Sequence, residues 1–216
     1  MTDRFQGWSE EAQRFFIGLE LDNSKRYFEA NRAVYERQVR GPMLALLGAV
    51  EEEFGPGRVF RINRDVRFSA DKSPYKTNVA AMAGREGRGG YVSLDARGLF
   101  VGSGRYRLEP AELARFRQAV ADDRSGPELE EIVTGLEGRG YEIGGEMLKV
   151  VPRPHPRDHP RTRLLRQKGM YAYRAYGLQP WLGTPAALER VVEVWRDAQP
   201  LLAWFRSQVD GPAEDA

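Results

Sequence analysis

The period of the apolar residues changes twice along this chain, and that change limits the fold more than any single motif does. Up to Phe54 the apolar positions recur at helical spacing. Between Val59 and Val101 they fall instead into short runs, at Val59 to Ile62, Val66 to Ser69, Val79 to Met82, Tyr91 to Leu94 and Leu99 to Val101, separated by glycine-rich or Asp-Ala-Arg-Gly turns. Such runs read as strands of an antiparallel sheet built of hairpins. After Pro110 the helical period returns. Helices, then strands, then helices give an α+β fold, with the sheet packed against N-terminal and C-terminal helices.

Within the first third, Ser9 is placed to cap a helix with Glu10 and Glu11 in its first turn and Phe15, Phe16 and Leu19 on one side. A second helix starts after Asn23-Ser24 and aligns Phe28, Asn31 and Tyr35 on one stripe, where Asn31 either reaches a ligand or bonds a neighbouring loop. Gly41-Pro42 then interrupts, and a third helix ends at Phe54-Gly55. Pro110 and Pro127 each open a further helix. Two more strands are expected at Glu146 to Val151 and Met170 to Tyr176. A closing helix from Thr184-Pro185 carries Leu188, Val191, Val192, Trp195, Leu202 and Phe205 as a core stripe, kinked at Pro200. The 216 residues suit one domain over 1–210, with a frayed tail over 211–216.

The absence of cysteine excludes disulfides, thiolate metal sites and cysteine nucleophiles. No apolar run approaches the roughly 20 residues of a membrane span, and the acidic, amphipathic start lacks an apolar signal core. A cytoplasmic location without membrane attachment is expected.

Net charge is +2, but its distribution is uneven. Arg58 to Lys76 holds six bases against Asp65 and Asp71, and Lys149 to Lys168 holds seven against Asp158, so the two segments carry +4 and +6 and the remainder −8. Two basic segments in an acidic chain suggest one anion-attracting face if the fold joins them. Only five of the 33 bases are lysine, and Lys72, Lys76, Lys149 and Lys168 all fall in these segments. A flexible point charge at those places suits ligand contact.

The stretch Asn63 to Asn78 concentrates the chemistry. In an extended chain Asp65 and Arg67 share a face and form an ion pair, while Arg64 takes the other. Asp71 can bond the backbone two residues on, and Pro74 holds Ser73 extended, which stiffens the loop and aims Lys72 and Lys76 outward. Donors on a stiff loop lose less entropy on binding.

The run Arg64 to Asn78 (R-D-V-R-F-S-A-D-K-S-P-Y-K-T-N) resembles the signature of domain-of-unknown-function family 2461, a bacterial and fungal family. The likeness extends to Phe5-x-Gly7, to Asn23 through Tyr35, to Gly90-Tyr91 with Ser93-Leu94, and to a Gly102-x-Gly104 hairpin. It continues at Leu148-Lys149 before Pro152 and at Asp158-His159-Pro160 followed by Leu165 and Lys168. Tyr27 stands where the family pattern has Trp, and Val66 where it has Thr; neither departure removes a charge. The resemblance implies no established activity and no known cofactor.

Other motifs are weaker. Gly84 to Gly90 lacks the strand-then-helix context of a phosphate loop and reads as a hairpin tip. His155, Asp158 and His159 include metal-ligand types, but Pro154, Pro156 and Pro160 extend the segment and the nearby arginines disfavour a cation, so no metal is assigned. Asp158 and His159 fit better as a catalytic acid/base pair, unless Asp158 pairs with an arginine. Two classes of function follow. One is binding of, or action on, a phosphorylated or otherwise anionic small molecule, with Arg64, Arg67, Lys72 and Lys76 gripping it, Asp65 and Asp71 orienting those bases, and Lys149, Asp158, His159 and Lys168 opposite. The other is a nucleic-acid-binding or nucleic-acid-processing module, stacking bases on Tyr75, Tyr171, Tyr173 and Tyr176. A third reading makes the charged loop a structural salt-bridge network without a ligand.

Overall fold

A computed structural model describes residues 4–67, 69–84 and 90–210. The chain runs α1 (Glu10–Leu21), α2 (Lys25–Val34), a π-helical stretch (Tyr35–Arg40), α3 (Gly41–Phe54), β1 (Gly57–Val59), β2 (Asn78–Ala83), β3 (Gly90–Asp95) and β4 (Gly98–Arg105). It continues through α4 (Pro110–Ala121), α5 (Ser125–Gly138), β5 (Glu142–Gly144), α6 (Thr162–Leu165), β6 (Met170–Tyr176), a 3-10 turn (Pro180–Gly183), α7 (Ala186–Asp197) and α8 (Gln199–Gln208). The six strands form one antiparallel sheet in the order β1-β2-β3-β4-β6-β5, so the fold is α+β as the change of period predicts.

The chain divides into two compact units. The first comprises Met1–Val101 with Ala175–Glu193, and the second Gly102–Arg174 with Val194–Ala216.

In the first unit α1 buries Ala12, Phe15, Phe16 and Leu19. Phe15 meets Phe16, Tyr27, Phe28 and Tyr35 at ring separations of 5.3 to 6.3 Å, an aromatic cluster that ties α1 to α2. Ser9 makes no cap bond, and its hydroxyl instead donates to Gln38 Oε1. Ser24 does cap, accepting from Tyr27 N–H at 3.1 Å. Asn31 donates to the Tyr27 carbonyl of its own helix rather than to a loop. The expected interruption at Gly41-Pro42 is not a break. Proline removes an intrahelical donor and its ring crowds the carbonyl four residues back. The helix answers by widening over Tyr35–Arg40, where Gly41 N–H bonds Glu36 five residues earlier, and α3 continues with Pro42 in its first turn.

In the second unit Phe116 of α4 packs on Trp204 and Phe205 of α8 at 5.9 and 5.7 Å. The buried Trp204 indole donates to Ser125 O at 2.9 Å. Arg105, at the end of β4, is buried between Glu112 and Asp210, both at 2.5 Å. The closing helix breaks at Ala198, and Pro200 occupies the first turn of α8.

Several strand expectations change. Among their described residues Val66 to Ser69 form no strand, because that apolar run lies at the tip of a loop. Glu146 to Val151 contributes one isolated bridge, Met147 to Gln167, while the unexpected β5 lies just before it. Gly102 and Gly104 are inside β4; the turn between β3 and β4 is made by Asp95, whose carboxylate accepts from Arg97 N–H and Gly98 N–H. The tip at 85–89 and the tail at 211–216 lie outside the described residues.

Candidate functional site

The charged stretch is the far end of the β1–β2 hairpin. Past Val59 the two arms stay bonded through Phe60 N–H to Ala80 O, Lys76 N–H to Ile62 O and Arg64 N–H to Pro74 O, at 2.8 to 2.9 Å. From the first of these bonds to the second one arm advances two residues and the other four, so the returning arm bulges. Asn63 and Tyr75 face each other across the neck. Asn23, from the connection between α1 and α2, clamps that neck: its Oδ1 accepts from Tyr75 N–H at 3.0 Å and its Nδ2 donates to Tyr75 O at 3.1 Å. Tyr75 is 6% exposed and stacks on Phe28 at 4.3 Å. One asparagine and one ring thus hold the loop base to α2.

Beyond the neck the charges partner within the loop. Asp65 accepts from the Arg67 guanidinium at 2.7 and 3.0 Å, the pair expected from their shared face. Arg64 Nη1 donates to Asp71, whose Oδ1 also accepts from Ser73 N–H at 2.9 Å in the expected turn. Ser73 first, and Arg64 second, hold the Asp71 carboxyl far below the usual carboxylate range. Lys72 Nζ donates to Val66 O at 2.9 Å across the loop, and Lys76 Nζ lies 5.8 Å from the Phe60 ring centroid, with Arg58 at 5.3 Å from the same ring.

A cleft of about 560 Å³ opens beside the neck. One wall is α2 and the π-helical stretch, with Lys25, Phe28, Glu29, Arg32, Tyr35, Glu36 and Arg40; the other is Val59 to Asn63, with Tyr75 at the junction. Arg32 is held bidentately by Glu29 at 2.7 and 2.9 Å, and Arg40 lies 3.5 Å from Glu36. That leaves Lys25 and Arg61 as lining cations with no ion pair among the described residues. The buried Tyr35 phenol is pushed up to about 12, chiefly by desolvation and then by Glu36, so at neutral pH it can donate a hydrogen bond and does not serve as a base. Of the charged loop, the cleft takes Asn63 and Tyr75; Arg64, Asp65, Arg67, Asp71 and Lys72 stand beyond the neck, and Lys76 lies on its sheet side, beside Phe60.

The second basic segment belongs to the second unit and is arranged differently. Arg161 is buried, donating to Val120 O at 2.6 Å and to Ala121 O and Asp122 O at 3.0 and 3.2 Å, where it closes the C-terminal end of α4. Arg163 grips Glu137, Arg166 Nε donates to Leu148 O at 2.6 Å, and Lys168 pairs with Glu146. Lys149, Arg153 and Arg157 are exposed. His159 Nδ1 accepts from Arg161 N–H at 3.0 Å, so in the neutral ring Nε2 carries the proton. It is this backbone donor that orients the ring; Asp158 is exposed beside it. The His155 and His159 rings lie 6.3 Å apart, and burial, then His159 and Arg117, lower the His155 pKa. No group of three or more metal-ligating side chains occurs among the described residues.

The profile of a family described as "Conserved hypothetical protein (DUF2461)" matches residues 11–204. The chain belongs to this family. No curated protein matches the sequence.

The motif that carries the likeness to DUF2461 therefore coincides with the hairpin end and its neck. Sequence reasoning placed Lys72 and Lys76 of the DUF2461 chain on a loop, as found, but set Arg61 and Arg67 in strands, and it missed Lys25 and Arg61 as cleft cations and Asn23 as the clamp. The signal for Asn23 was weak: a single asparagine 52 residues from its partner, before a serine cap, reads as helix punctuation.

Proposed function

We propose that this DUF2461 chain binds or acts on a phosphorylated or otherwise anionic small molecule in the cytoplasm, and that the cleft between α2 and the hairpin neck is the site. The observation that carries the reading is Lys25 and Arg61 in an aromatic-walled cleft whose other cations, Arg32 and Arg40, are already neutralised by Glu29 and Glu36. Unpaired cations beside rings, in a concave site of this size, suit an anion on an organic framework. Tyr35 adds a neutral donor. Arg64, Arg67, Lys72 and Lys76 form the proposed outer grip, with Asp71 and Asp65 orienting Arg64 and Arg67. Lys149, Asp158, His159 and Lys168 belong to the other unit and receive no role in this cleft. The alternative of a purely structural salt-bridge network is disfavoured by exposure, since ion pairs at solvent contribute little to stability.

Isothermal titration with inorganic phosphate, sugar phosphates and nucleoside monophosphates tests the proposal. At least one should bind, and Lys25→Ala and Arg61→Ala should each weaken it about tenfold or more without altering the unfolding midpoint. Binding that neither substitution changes, or no binding by any compound in the set, would overturn the cleft assignment.

A further inference from the structure

A row of tyrosines marks the sheet in the second unit. Along β6, Met170 and Ala172 are buried whereas Tyr171 and Tyr173 are half-exposed, so the two tyrosines share the outward face. Gly144 and Glu142 of β5 stand directly opposite them. A Cβ at Gly144 would lie 2.4 Å from the Tyr171 ring, and one at Gly104 of β4 would lie 2.5 Å from Tyr171 Cα. Gly144 lets the Tyr171 ring lie down over β5, and Gly104 lets β4 approach the Tyr171 backbone closely. Arg105, next to Gly104, points the opposite way, to Glu112 of α4 and to Asp210, so the helices of this unit cover the other face. Tyr106 follows β4, is 77% exposed, and sits 5.9 Å from Tyr171, which is 5.6 Å from Tyr173. Interplanar angles of 34° and 41° make the three rings one gently turning surface.

Two exposed cations adjoin this row along the chain and the sheet, and one carboxylate, Glu142, sits at its Tyr173 end. Arg107, beside Tyr106, is exposed without an ion pair among the described residues. Lys149 is exposed one residue beyond Leu148, in a segment whose Lys168 N–H to Glu146 O and Leu148 N–H to Arg166 O bonds prolong the β5–β6 edge. Of the nearby acids, Glu146 is taken by Lys168, and Glu142 accepts from Tyr173 Oη at 2.8 Å. Exposed rings flanked by unpaired cations are the combination that holds bases by stacking and phosphates by charge.

We propose that the row Tyr106–Tyr171–Tyr173 binds single-stranded nucleic acid, one base to a ring, with Arg107 and Lys149 on the phosphates. The ring spacing selects the strand. Neighbouring bases in a duplex strand rise about 3.4 Å, so bases set on rings 5.6 to 5.9 Å apart must be unstacked from one another, which a duplex resists and a single strand permits. Tyr171 and Tyr173 were visible as candidates in the sequence. Tyr75 and Tyr176 are not stacking surfaces: Tyr75 is covered by Phe28, and Tyr176 packs edge-on against Trp181 at 5.2 Å with its hydroxyl buried. This inference is independent of the cleft reading.

Fluorescence anisotropy with labelled eight-nucleotide dT and rU strands at low and physiological salt, on the full chain, provides the test. Tyr106→Ala should weaken binding about fivefold or more, the loss expected for one base stack, and Tyr106→Phe should stay within about twofold of the parent. Tyr171→Phe guards against misfolding of the more buried ring and should likewise retain binding. Arg107→Ala together with Lys149→Ala should flatten the salt dependence, and a duplex of the same sequence should bind at least about tenfold more weakly. No binding at low salt, equal binding of duplex, an unchanged affinity in Tyr106→Ala, or displacement by neutral oligosaccharide instead of by unlabelled strand would each refute the proposal.

Discussion

Between Arg58 and Lys76, Arg64, Arg67 and Lys72 partner with residues of their own loop, at the surface; between Lys149 and Lys168, Arg161, Arg163 and Arg166 are spent on backbone and helices elsewhere in the chain. Arg64 and Arg67 pair with acids seven and two residues away. Arg161 and Arg163 reach back to α4 and α5, across 26 to 41 residues. The first segment therefore stiffens a loop by local contacts, and the second locks tertiary structure. Formal charge, +4 against +6, does not say which cations stay open to a ligand: Arg61 does in the first segment, and Lys149, Arg153 and Arg157 are exposed in the second. What decides is burial and partnering, which a count of residues does not contain.

The largest difference between the segments should appear on truncating Arg161. Its side chain is 7% exposed and satisfies three carbonyls at the end of α4. Removing it takes the donor from the buried Val120 carbonyl and the part-buried Ala121 carbonyl, at about 1 to 3 kcal/mol for each that water cannot reach, while Asp122 O keeps Gly126 N–H. Urea unfolding of Arg161→Ala should show a loss of about 3 kcal/mol, whereas Arg64→Ala should leave the midpoint nearly unchanged. Similar losses from both would erase the distinction drawn between local and tertiary use of charge.

Titration separates the segments next. The Asp71 carboxyl is depressed by Ser73 and Arg64, so its contribution is present above the unfolded value of about 3.9 and is lost as pH falls from there through the folded value. His155 is also depressed, by burial first, so its neutral form favours the fold above about 6.5, and that contribution declines as pH drops below it. NMR titration should find the His155 ring protonating below the ordinary histidine range, while Ser73 N–H keeps its bonded shift until the solution is more acidic than pH 4. A Ser73 signal that moves together with His155 would show that the loop is not held by Asp71.

The parts legible in the sequence were those set by local chemistry. The change of period gave the α+β class, Pro200 the break before α8, and the Asp-Lys-Ser-Pro run the turn at Asp71. Strand β5 was missed because Glu142–Gly144 is three residues long and ends in a glycine, with another after it, too short for a period to register. The π-helical stretch was hidden because proline normally ends a helix, whereas here the ladder widens to pass it, with Tyr35 and Val39 buried. Asn23 and Arg161 were illegible for one reason. Each acts on backbone far along the chain, and backbone carries no residue-specific signature.

The smallest expected effect sharpens the comparison most, because Lys72 and Arg161 share a chemistry and differ in setting. Both donate to main-chain carbonyls: Lys72 to Val66 O alone from an exposed position, Arg161 to three carbonyls from a buried one. At an exposed site water replaces the lost donor, so Lys72→Ala should change unfolding free energy within about ±0.5 kcal/mol, as ordinary surface substitutions do. Lys76, over the Phe60 ring and half-exposed, should fall in the same range. If Lys72 instead held a buried network together, its loss would leave a charge unpaired and cost about 3 to 5 kcal/mol. Urea midpoints distinguish these outcomes easily. A small change, paired with weaker binding of any anion that the cleft accepts, assigns Lys72 to ligand contact; a change near that of Arg161→Ala would make the hairpin end a structural brace and remove Lys72 from the proposed outer grip.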